Sequence, residues 1–193
     1  MFIPYFKRSK REAKKEGVLM AVDRSVRGKT YANKARYEMR ALDEMGVVTV
    51  GNALSPLLVV KGLPGSAEKA GGQLFSGTDG AALRAAFLAL GYAPEDWAGV
   101  ATWSREGAAL DASAFRQAVV ALDPATLVAC DGVAASVVYE AFGGDPLMPG
   151  LVVRTAGMRM LNLDGFEDAL GDQRQKQLMW ARLKQIPPLG EPY

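Results

Sequence analysis

The chain is 193 residues long, 49% hydrophobic and 23% charged, with a net charge of +2, which fits one globular domain with a full core. Its single cysteine, Cys130, excludes a disulfide framework and a thiolate metal cluster. The absence of histidine excludes Ser-His-Asp and Cys-His nucleophile systems and removes the commonest metal ligand.

No apolar run approaches the roughly 20 residues of a membrane span, and MFIPYFKRSKREAKKEG has no apolar core of the signal-peptide kind. The expected setting is therefore reducing and cytoplasmic, with no membrane partner. The small net charge hides an asymmetry. Residues 1–40 hold twelve Lys and Arg against four Asp and Glu, a net +8, while the remainder carries −6. Residues 1–28 read as a basic arm, extended or briefly helical, ahead of a single domain over 29–193. Lys7, Arg8, Lys10, Arg11, Lys14 and Lys15 are its candidate phosphate contacts. The competing reading is a solvated arm that docks on its own acidic domain.

In chain order, Thr30 to Met45 has apolar residues at helical spacing, with Gly46 as a C-cap. Val47 to Val50 is β-branched and reads as a short strand, followed by a turn over Asn52 to Pro56. Leu57 to Val60 is apolar without alternation, as in a central strand covered on both faces. A long glycine-rich loop follows, with Gly62, Gly65, Gly71, Gly72, Gly77 and Gly80. A helix is expected from Asp79 to Leu90, a second strand from Trp97 to Trp103, and a helix capped by Asp111 running to Leu122. Thr126 to Cys130 is a third strand, Gly132 to Phe142 a helix, and Leu151 to Thr155 a fourth strand. Residues 156–165 read as a loop, and Phe166 to Gln185 as a final helix broken at Gly171-Asp172. Strands alternating with helices of this length predict an α/β fold: a three-layer α/β/α sandwich on a mostly parallel sheet. Ligands of such sheets bind at loops after the carboxyl ends of strands, so the Gly62–Gly80 loop is the expected site. It is neither a Walker A sequence nor G-x-G-x-x-G.

Pro64 to Leu83, PGSAEKAGGQLFSGTDGAAL, resembles the first motif of the iron–sulfur (family 4) uracil-DNA glycosylases, roughly G-E-x-P-G-x-x-E-D-x-x-G-x-P-F-V-G-x-A-G-x-L. Without a gap, Pro64, Gly65, Glu68, Gly72, Phe75, Gly77 and Gly80 fall on matching positions. LDPATLVACDGVAASVVYEAF, Leu122 to Phe142, is similar to the family's L-x-P-x-x-I-V-A-L-G-x-x-A-A-x-x-L-L, and Trp180 to Lys184 resembles its closing K-x-x-x-W-x-D-L-K. The resemblance covers about residues 57–186 and implies the uracil-DNA glycosylase-like α/β/α fold. It implies a base-binding site at Phe75, Gly62, Leu63, Pro64 and Gly65, with Phe75 as the stacking face; the alternative for Phe75 is a core residue wedged under the loop. It implies DNA or a nucleobase as partner.

The departures lie at the chemistry. The family's pocket glutamate is Gly62 here. The second strand ends Val100-Ala101-Thr102-Trp103 without the base-reading asparagine. The histidine motif expected before Trp180 is replaced by Asn162-Leu163-Asp164-Gly165-Phe166, and the cluster cysteines are absent. No metal cluster or other cofactor is implied. Asn162 and Asp164 are the catalytic candidates by position. Glu68 is expected as a solvated carboxylate or an ion pair, Asp131 and Asp164 as caps or turn residues, and Cys130 as a small buried hydrophobe. The resulting expectation is a nucleic-acid or nucleobase binder with altered or lost base excision. The alternatives are an active DNA glycosylase with a substituted catalytic set, or a binder of nucleotides or small phosphate ligands, or a scaffold.

Overall fold

The computed structural model describes residues 33–34 and 36–187; the basic arm, with Lys7, Arg8, Lys10, Arg11, Lys14 and Lys15, lies outside them. Residues 36–44 are helical, and Gly46, at φ 73°, ends the turn that follows, donating to the Asp43 carbonyl. Strands β1 (Val47–Gly51), β2 (Leu57–Lys61), β3 (Trp97–Ser104), β4 (Thr126–Ala129), β5 (Val152–Thr155) and β6 (Met158–Asn162) form one mixed sheet in the order β1-β3-β2-β4-β6-β5. The inner strands β3, β2, β4 and β6 run parallel, and β1 and β5 pair antiparallel at the two edges.

Every residue of β2 is buried, in keeping with its unalternated apolar run. Its side chains feed two cores. Leu58 and Val60 join a core with Phe115, Val119 and Leu122 of α3 (Ala112–Leu122) and Val138 of α4 (Gly132–Phe142). Leu57 and Val59 join a second core with Leu83 and Phe87 of α2 (Thr78–Ala89). Phe166 of α5 (Phe166–Ala169) and Met179 and Leu183 of α6 (Gln173–Leu183) complete that second core. The helices therefore cover opposite faces of the sheet, each burying its apolar stripe.

Local signals in the sequence set the helix ends. Asp111, Asp131 and Asp172 each accept a hydrogen bond from the third residue onward, from the amides of Ala114, Ala134 and Gln175. The break at Gly171-Asp172 separates α5 from α6. The glycine loop contains a short helix that its composition did not announce, α1 (Ser66–Lys69).

One loop assignment is corrected. The expected fourth strand, Leu151 to Thr155, is present as the antiparallel edge β5, but the expected 156–165 loop holds a further strand, β6, which is the fourth parallel one. Ala156 and Gly157, at φ 51° and 81°, make the two-residue turn between them, a conformation suited to hairpins. Met158-Arg159-Met160-Leu161-Asn162 lacks β-branched residues, so its strand character comes from pairing with Thr126 to Ala129.

The connection after β2 leads through α2 to β3 on one side, whereas that after β4 leads through α4 toward β6 on the other. Neighbouring strands whose connections diverge leave a crevice at their carboxyl ends. Lys61-Gly62 and Cys130-Asp131 stand at this point. Among the described residues no helix is long and apolar enough to cross a membrane.

Candidate functional site

Lys61, the last residue of β2, is 3% exposed and meets three carboxylates. Its Nζ lies 2.9 Å from Glu68 Oε2, 2.5 Å from Asp79 Oδ2 and 3.1 Å from Glu167 Oε2. It also stands 5.5 Å from the centre of the Phe75 ring. Burial by itself lowers the pKa of the ammonium, but the hydrogen bonds from Asp79, Glu68 and Glu167 outweigh it and hold the group well above the ordinary lysine value. Burial would likewise raise the pKa of Glu68, yet the Lys61 ammonium and the Phe75 amide together hold its carboxyl below the usual range. Glu68 also accepts from the Gly65 amide at 3.0 Å. It thus ties the two ends of the loop, Gly65 and Phe75, to the end of β2, and is a buried ion-pair partner. One ammonium against three carboxylates leaves surplus negative charge, and Asp79 Oδ1 has no hydrogen-bond partner among the described residues.

Asp131 closes the crevice between β2 and β4. Its Oδ1 accepts from Ala134 N at 2.9 Å and its Oδ2 from Gly62 N at 2.8 Å. A Cβ at residue 62 would fall 2.1 Å from Asp131 Oδ1 and 2.2 Å from Ala134 N. Glycine is required at 62 because Asp131 fills the space of its side chain. Asp131→Ala removes the cap and strands the Gly62 amide, so we expect a loss of about 1–3 kcal/mol in urea unfolding. Gly62→Ala is expected to destabilise comparably, about 1–3 kcal/mol; a neutral result for either variant would contradict this coupling.

Two cavities open at this end of the sheet, with Leu63 and Pro64 as the wall between them. The larger, of 660 Å³, lies toward β3 and is mainly apolar, with Trp103, Leu74, Val133 and Val137 around it and Lys69 and Arg105 at its rim. The smaller, of 260 Å³, lies toward β4 and α5 and is ionic, with Lys61 and Lys69 against Asp79, Asp131, Glu167 and Asp168. Cys130 lines it too. Burial and then the Asp131 charge push its thiol up, so it stays protonated at neutral pH. Among the described residues, no group of three His, Cys, Asp or Glu side chains is arranged to hold a metal ion.

The sequence-based candidates fare differently. Gly62, Leu63 and Pro64 line the larger cavity, and Leu63, Pro64 and Gly65 the smaller. Phe75 is corrected from stacking face to core residue. It is 1% exposed, lines neither cavity, and meets Trp97 edge-on with ring centres 6.0 Å apart. Gly99 makes room for it, since a Cβ there would lie 2.7 Å from the Phe75 ring. Asn162 is corrected from catalytic candidate to fastener. Its amide nitrogen donates to the Leu147 carbonyl at 2.8 Å and its Oδ1 accepts from the Asp164 amide at 2.9 Å. Asp164 is an exposed turn residue at φ 58° and lines neither cavity.

Sequence reasoning passed over Lys61, Asp79, Glu167 and Trp103. The one available signal was Lys61, a cation directly after an unbroken apolar strand, a position that demands buried counter-charges.

Six strands in a mixed sheet, helices on both faces and a cleft at the carboxyl ends of the parallel strands define an α/β protein. No protein-family model matches the chain, and no curated protein matches it.

Proposed function

We propose that the chain is a uracil-DNA glycosylase-like three-layer α/β/α sandwich that binds nucleic acid or a nucleobase at the Gly62–Gly80 loop, with base excision altered or lost. One observation carries this reading. The loop whose spacing resembles the glycosylase motif walls an open 660 Å³ cavity at the carboxyl ends of β2 and β3, a volume in the range of small-ligand sites.

Hydrolysis of a glycosidic bond needs an activated water and donors for the departing base. Glu68, which lines the cleft, Asp131 of the neighbouring cavity and the amide candidate Asn162 are committed elsewhere. Glu68 accepts from Lys61, Gly65 and Phe75; Asp131 accepts from Ala134 and Gly62; Asn162 is fastened to backbone on both sides. This favours binding over excision by the family's route.

The test uses the full chain with single- and double-stranded oligonucleotides carrying uracil, hypoxanthine or xanthine. Alkali-labile abasic sites are read alongside a binding shift at two salt concentrations. The expected result is binding that weakens steeply with salt and no abasic product. Strand cleavage after alkali would establish an active enzyme and overturn the loss of excision. No binding at either salt would sink the nucleic-acid reading itself.

A further inference from the structure

We infer that the larger cavity takes one unpaired nucleotide, its base stacked on Trp103 and its phosphates met by Lys69 and Arg105. This rests on the nucleic-acid reading above and names the ligand of that site.

Charge separates the two cavities. The smaller presents four carboxylates against two lysines and repels a phosphodiester. The larger has Lys69 and Arg105 at its rim, and its one carboxylate, Glu68, is locked in the ion pair with Lys61. Lys69 is exposed and makes no ion pair among the described residues. Arg105 pairs with Asp43 in an exposed bridge, which a phosphate displaces at little cost because such surface pairs are weak.

Shape gives the base its place. Trp103 is half-buried at the end of β3, where the chain turns back on itself. Ser104 N donates to Ala108 O at 2.8 Å, Leu110 N donates to Thr102 O at 2.8 Å, and Trp103 bridges Ala109. This folded-back segment sets Trp103 in the lining of the cavity with Leu63 and the glycine loop, its side chain partly packed against the core that holds Leu74 and Phe75. Gly71 and Gly72 carry no side chains into the space. A flat heterocycle suits an aromatic and aliphatic slot, and base–aromatic stacking tolerates any base. A base in a duplex has both faces stacked and its edge paired, so only an unpaired nucleotide enters. The stacking role expected of buried Phe75 thereby falls to Trp103.

The test measures affinity of the full chain for a thymidine octamer, for the same octamer made wholly abasic, and for a duplex. Trp103→Leu should bind the octamer about 10-fold more weakly than the unaltered chain, and Trp103→Phe should stay close to it. Wild type should bind the abasic octamer as weakly as Trp103→Leu binds the thymidine octamer, and combining both changes should cost no more than either. Octamer binding should quench tryptophan fluorescence in the wild type and lose that quenching in Trp103→Phe, although Trp97 and Trp180 remain. Thermal unfolding confirms that both variants are folded. Octamer binding undiminished in Trp103→Leu, or equal for the abasic strand, overturns the inference and leaves the nucleic-acid reading standing. Absence of binding to every strand overturns both.

Discussion

Lys61→Met destabilises the fold by about 3–5 kcal/mol, because it leaves Glu68, Asp79 and Glu167 facing one another without the ammonium. Methionine keeps the length and the apolar stem, so the loss reports charge rather than volume. Urea unfolding at neutral pH checks it, and a cost under about 1 kcal/mol would show that the cluster is solvated after all. The pH dependence has a definite sign. The folded pKa of Glu68 lies below its unfolded value. Its contribution is therefore complete above the ordinary glutamate range and is lost as pH falls through the depressed folded value. The folded pKa of Lys61 lies above its unfolded value, so its contribution is complete at neutral pH and disappears only in strong alkali. Wild-type stability should accordingly decline on acidification below the ordinary glutamate range. The gap between wild type and Lys61→Met should narrow there, since protonated carboxyls no longer repel. A gap that stays constant down to acid pH would sink this account.

Phe75→Ala costs about 3–5 kcal/mol, the range for emptying a fully buried phenylalanine site. The ring lies against Gly99, Trp97 and the Lys61 ammonium, and its backbone holds φ 57° with the amide bound to Glu68. Loss of the ring removes a core contact and unseats the loop anchor together. Phe75→Leu separates packing from recognition. It keeps most of the apolar fill, so its cost should be markedly smaller, and its affinity for single-stranded DNA should equal that of wild type. Reduced affinity with unchanged stability would return the stacking role to Phe75 and would count against Trp103.

Much of the architecture was legible locally. An apolar run without alternation marked β2 as a central strand, Asp111 marked the start of α3, Gly171-Asp172 marked the break before α6, and the glycines marked the loop at the carboxyl end of β2. These are short-range effects, in which a cap reaches three residues and burial on both faces needs an uninterrupted apolar segment. β6 was hidden because its strand character is borrowed from β4 across the sheet.

The site was decided by tertiary structure. The partners of Lys61 come from 7 and 18 residues further along and from α5, and periodicity within one element does not reveal which distant acids converge on one amine. The resemblance implied a stacking role for Phe75, but Gly99 of β3 opened the core to receive its ring, and Trp103 was left beside the cleft. The sequence alone determined that a glycine-rich loop would stand at the end of a buried strand, since hydrophobic runs and backbone freedom are properties of contiguous residues. Only the sheet order brought Asp131 into the space beside Gly62 and divided the crevice into an apolar cavity and an ionic one, because side chains fill volume and balance charge in three dimensions.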